Sequence, residues 1–111
     1  MRQDIEMIRG DTLSFAIKIT GLGQDLDTVF MSCKKFESDV AYIFQKSLTN
    51  GITKESSDAT SCTYRVRVAP ADTATVDAGS YHYDVQIGVN GDIHTALNGW
   101  VKIGMDVTSN G

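Results

Sequence analysis

The chain reads as an all-β protein, an antiparallel β-sandwich of seven or eight strands with one short helical turn near residues 70–76. Three observations predict this. Apolar and polar residues alternate with period two through most of the 111 residues. Turn signals recur every ~8–12 residues, the spacing of sandwiches and barrels. A one-turn helical signal opens at Pro70, with Asp72 close behind, and feeds a tyrosine-rich strand after Gly79, which is how a sandwich chain crosses between its sheets.

The elements follow in order. Residues 3–9 predict a first strand, broken at Gly10-Asp11. Residues 12–20 alternate cleanly, with Leu13, Phe15, Ile17 and Ile19 inward. Gly21 to Asp25 is a loop. Residues 28–36 carry apolar groups on both faces, Val29, Met31 and Cys33 against Phe30, Ser32 and Lys34, so the inward set stays open. Residues 40–48 predict a partner strand, Asn50-Gly51 a turn, Ile52 the centre of a short strand, and Glu55 to Asp58 a polar loop. Residues 60–69 put Cys62, Tyr64, Val66 and Val68 on one face. Residues 80–89 do the same with Tyr81, Tyr83, Val85, Ile87 and Val89, and a last strand spans 93–108. The expected core holds Phe15, Ile17, Tyr64, Val66, Tyr83, Val85, Ile87, Val101 and Ile103. A buried phenol needs a partner, so Tyr81, or failing it Tyr83, is expected to bond backbone near the 70–77 turn.

The last hairpin poses a register question. A two-residue turn at Asn90-Gly91 sets Ile87 against His94 and mixes the faces thereafter. A three-residue loop, Asn90 to Asp92, pairs Val89 with Ile93, Val85 with Leu97 and Tyr83 with Gly99, and keeps apolar parity throughout. Because a buried face specifies register, the longer loop is expected. His82, Asp84 and Gln86 then share an outer face with His94, Ala96, Asn98, Trp100 and Lys102. Trp100 is the sole tryptophan, and tryptophan is enriched at interface centres. The set His82, Asp84, Gln86, Asn98, Trp100 and Lys102 is therefore the candidate interface, with Phe30 and Phe36, taken to lie on the other sheet, as the competing one.

Composition bounds the function. The chain is 41% hydrophobic and 22% charged, with a net charge of −4, which disfavours a nucleic-acid binder. No apolar run approaches the ~20 residues of a membrane span. The N-terminus mixes charge with apolar residues and lacks a secretion signal's core, so synthesis and retention in a cytoplasm are expected. Cys33 and Cys62 are expected as free, half-buried thiols.

Chemical motifs have structural explanations. Ser80, His82 and Asp84 resemble hydrolase machinery, but i and i+2 side chains of a strand stand about 6.5–7 Å apart, too far for a nucleophile and its base. Asp72-Thr73-Ala74 is better explained as a helical cap than as half of an aspartic-protease dyad. Arg9-Gly10-Asp11 fits a plain turn. Gly21-Leu22-Gly23 lacks the residues of a phosphate loop. His82 and His94 lack a third ligand. No catalytic residue, cofactor or metal site is expected.

The succession Gly10-Asp11-Thr12-Leu13-Ser14-Phe15, then Val66 to Ala74, Ala78 to Ile87 and Gly99 to Ile103, resembles the N-terminal immunoglobulin-like domain of the phage baseplate upper protein family, over nearly the whole chain. The resemblance implies an immunoglobulin-like sandwich serving as a structural adaptor in a tailed-phage or prophage virion, without catalytic residues. The family's stem helices and receptor-binding modules have no counterpart in these residues, so a tail, neck or head-associated role is implied as readily as a baseplate one. The implied partners are other virion proteins, with a homo-oligomer as a further expectation, and the implied location is the virion. A carbohydrate- or receptor-binding module is the alternative, with Trp100, Asn98, Asp84 and His82 as a stacking platform.

Overall fold

A computed structural model describes residues 2–20, 26–57 and 60–105. Among these residues eight strands and one helical turn follow in order: β1 (Ile5–Ile8), β2 (Leu13–Thr20), β3 (Thr28–Lys34), β4 (Phe44–Leu48), β5 (Gly51–Ser57), β6 (Ser61–Val68), α1 (Pro70–Thr73), β7 (Gly79–Val89) and β8 (Asp92–Gly104). Hydrogen bonding links the strands in the order β1-β8-β7-β3-β4-β5-β6-β2. Between β4 and β5 the link is only a two-pair parallel contact, Ser47 with Gly51 and Leu48 with Ile52. There the chain turns a corner from one layer, β1-β8-β7-β3-β4, to the other, β5-β6-β2.

Burial explains why two layers form. Val29, Met31 and Cys33 of β3 and Cys62, Tyr64, Val66 and Val68 of β6 belong to one core and are almost wholly excluded from solvent. Among the described residues the helix is a single turn of four residues, and the opposing sheet covers these side chains. Leu26, which leads into β3, donates its backbone N–H to the Tyr64 hydroxyl on β6 at 3.0 Å. The pairing is antiparallel except at the β4–β5 corner and where β1 lies parallel to β8. This is an immunoglobulin-like sandwich.

The crossover is built as its sequence requires. Pro70 needs no N–H partner in the first turn, and Asp72 Oδ2 accepts the Ala69 N–H at 2.7 Å. The same carboxylate pairs with Lys46 Nζ of β4 at 2.7 Å. The Arg9-Gly10-Asp11 turn docks on this corner, Gly10 N–H donating to Thr73 Oγ1 and Arg9 to the Val76 carbonyl. The Tyr81 hydroxyl donates to the Asp77 carbonyl, the expected corner anchor. Tyr83 makes the matching bond on the other side, to the Gln3 carbonyl, and fastens the N-terminal segment to β7.

Several expectations change. β4 begins at Phe44, not at residue 40; Asp39 folds back on Phe36 through Asp39 N–H to Phe36 O and Phe36 N–H to Asp39 Oδ2, and Val40 is left 95% exposed. Residues 55–57 belong to β5 rather than to a loop, with Arg65 of β6 bonded to Glu55. Phe15 is half-buried instead of fully buried; the other expected core residues are buried. Met105 lies beyond the end of β8 and is exposed. The 21–25 loop, Asp58 and Val107 lie outside the described residues.

The hairpin register is the main correction. Asn90 and Gly91 both have positive φ, 53° and 85°, the pair of angles that a two-residue I′ turn needs. Val89 therefore faces Asp92 and Ile87 faces His94. The pairing shifts between Val85 and Gln86, where Thr95 and Leu97 flank the extra residue Ala96. Beyond this bulge Val85 pairs with Leu97 and Tyr83 with Gly99, as parity demands. The familiar turn and the buried face are both satisfied, and Ile93, 63% exposed, absorbs the conflict.

Candidate interaction surface

The outer face of β4-β3-β7-β8 is assembled by register in three rows. Lys34, His82 and Trp100 lie abreast. Gln45, Ser32, Asp84 and Asn98 form the second row, and Ser47, Phe30, Gln86 and Thr95 the third. Alternation turns these side chains away from the core, since their neighbours Met31, Cys33, Tyr83 and Val85 are buried.

The face is concave, enclosing about 750 Å³. Its walls are Arg2, bridged to Asn98 on the β8 side, and Glu37 and Tyr42 of the β3–β4 connection on the other. The N-terminal wall is held firmly. Gln3 N–H donates to Asn98 O at 2.8 Å, and Trp100 N–H donates to Asp4 Oδ1 at 3.1 Å. Gly99 permits this approach: a Cβ there would stand 2.5 Å from the Gln3 carbonyl oxygen. At the far wall Lys34 Nζ lies over the Tyr42 ring, 5.0 Å from its centroid.

Trp100 is 36% exposed and leans on His82, with ring centroids 4.0 Å apart and planes tilted by 35°. His82 Nδ1 is 3.4 Å from Glu37 Oε1. The indole therefore has one face supported and part of its surface open to a partner. Asp84 lies in the next row, between Ser32 and Asn98. Burial among its neighbours pushes its carboxyl above the ordinary value, and Lys34 partly offsets this. Gln45 Nε2 bonds Ser32 Oγ at 3.0 Å, orienting the amide on the same floor.

The structure brings together His82, Asp84, Gln86, Asn98 and Trp100 as expected from sequence. Lys102 stands apart from the hollow, on the other side of Trp100 beside Asp4, Glu6 and Ser80. Phe30 was expected on the opposite sheet; it lies on this same face, opposite Gln86. His94, displaced by the two-residue turn, leaves the row of His82. Arg2, Lys34, Glu37, Tyr42 and Gln45 were missed. The polar parity of Ser32 and Lys34 marked an outer face, but nothing local said which strand adjoins β7. Among the described residues no group of three or more His, Cys, Asp or Glu converges as a metal site requires.

What this geometry offers is a concave sheet surface with an aromatic pair toward its β8 end, a polar floor and charges of both signs at the walls. It suits binding by shape. No family model and no curated protein matches the chain. Among solved structures, the crystal structure of the Ig1 domain of mouse SynCAM 2 is similar over 93% of this chain and 92% of that one, at 12% identity and a TM-score of 0.37.

Proposed function

We propose that this protein is a structural component of a tailed-phage or prophage virion that acts by protein–protein binding through the concave β4-β3-β7-β8 face. The observation that carries the binding reading is Trp100, partly open at the β8 end of that face, stacked on His82 and flanked by polar groups, an exposed indole of the kind that anchors interfaces. The virion assignment is supported by the sequence resemblance described above. The partner is another virion protein, and the chain contributes contact, not catalysis.

Mass spectrometry of particles purified from the source strain tests the assignment. The chain is expected among the particle proteins, and Trp100→Ala is expected to reduce its incorporation while the variant still folds. Absence of the chain from the particles overturns the virion role. Glycan binding abolished by Trp100→Ala, with incorporation unchanged, transfers the face to the carbohydrate-binding alternative.

A further inference from the structure

The two layers end differently. One ends at β1, a four-residue strand carrying Glu6 on its outer side. The other ends at β2, eight residues long, paired without interruption to β6 from Leu13–Val68 to Thr20–Ser61. Among the described residues β2 has no second neighbour. Proteins usually blunt such an edge with proline, a bulge, several charges or a short strand. β2 has no proline and no bulge, and its one charged residue is Lys18.

A second observation concerns the core beside this edge. Leu13, Phe15 and Ile19 point inward, yet all three are only half-buried, while Ile17 is buried. The apolar rim along β2 is left partly uncovered.

We propose that β2 pairs antiparallel with β2 of a second copy about a two-fold axis through Ala16. The sequence fits itself in this register. Leu13 meets Ile19 and Phe15 meets Ile17 on the inner side, so each half-buried group gains an apolar neighbour. On the outer side Ser14 meets Lys18, and Ala16 meets Ala16 of the second copy with no steric conflict. No like charges oppose one another. A one-residue slip sets apolar residues against polar ones. Moving the axis to Ile17 leaves Leu13 without a partner in the strand, and moving it to Lys18 opposes two ammonium groups. The second copy is therefore the occupant that the pattern favours, and the three-stranded layer becomes a continuous six-stranded one.

This edge lies on the opposite layer from Trp100, so the proposal is independent of the concave face. Sedimentation equilibrium of the parent, Ala16→Lys and Ala16→Glu tests it. Ala16 is exposed but lies opposite Arg65 of β6, so both variants are expected to stay folded, Ala16→Glu melting at or slightly above the parent monomer and Ala16→Lys slightly below it. The parent is expected to dimerise with concentration. Each variant alone is expected to associate about tenfold or more weakly, because like charges then face each other on the axis. An equimolar mixture of the two is expected to recover dimer, now of opposite charges. A parent that stays monomeric at every concentration overturns the proposal. So does a dimer that persists equally in both variants, or one that is abolished by Trp100→Ala and unaffected at Ala16.

Discussion

Asp84, on the face proposed to bind a partner, is a carboxyl that the fold holds at some expense to itself. Its carboxyl is flanked by Ser32 and Asn98 across the strands, and burial raises its pKa. A carboxyl whose folded pKa exceeds its unfolded value contributes stability only at pH below the unfolded value, and that contribution is lost as pH rises through the folded one. At neutral pH the ionised group is thus mildly unfavourable. Asp84→Asn is expected to raise the melting temperature at pH 7 while weakening partner binding; a lower melting temperature would show that the carboxylate is held by the fold. Val85, its neighbour in sequence, has the opposite role. At 0% exposure in the core, Val85→Asp is expected to cost several kcal/mol, read as loss of the cooperative melting transition. The corner tyrosine is a smaller effect: Tyr81→Phe removes one hydroxyl-to-carbonyl bond and should cost about 1 kcal/mol.

At the scale of elements, two devices position the concave face. The first is the I′ turn with its compensating bulge at Ala96, which lets β7 and β8 start in one register and finish in another. Below the bulge His82 meets Trp100; without it the indole would face the core. The second is the crossing of the N-terminal segment over Gly99. Gln3 and Asp4 approach so closely that a methyl group there would need backbone to move. Gly99→Ala should therefore destabilise the fold by about 1–3 kcal/mol and loosen the Arg2 wall. Hydrogen exchange is the measurement: protection of the Gln3 and Trp100 amides should fall, and unchanged protection would mean that the strand accommodates the methyl elsewhere.

For the whole molecule, the core that holds the sheets together also sets the alkaline limit. Cys33 is wholly buried in the central strand, and burial pushes its thiol up to about 12 from an ordinary value near 9. Burial also raises Tyr81 and Tyr83. Between about pH 9 and 12 the unfolded chain has released the Cys33 proton and the folded one has not. Stability is then complete below pH 9 and falls with rising pH, with a slope of up to about 1.4 kcal/mol per pH unit from this group. Denaturant titrations across this range should show the fall, and Cys33→Ala should flatten it. At pH 8 the folded protein should resist alkylation at Cys33 and react once unfolded, since the thiolate is the nucleophile.

Local chemistry was enough for much of this protein. Period-two alternation located β2, β6 and β7 nearly to the residue, because each has one face in the core and one in solvent. The Pro70 turn and the Tyr81 anchor were legible because a proline at a first helical turn and a buried phenol each have few solutions. The Trp100 row followed from the parity of a single hairpin. What only the tertiary structure decided was which strands are neighbours and how conflicts between local rules are settled. Phe30 joined the Trp100 face because β3 pairs with β7, a contact between distant parts of the chain that side-chain alternation does not specify. Val40 and Tyr42 read as strand, yet the Phe36–Asp39 turn places Tyr42 under Lys34 as a wall of the hollow. At Asn90-Gly91 the turn preference and the buried face demanded different registers, and one inserted residue satisfied both. Propensity acts on a few neighbouring residues, whereas pairing partners and bulges are selected by the free energy of the whole packed core.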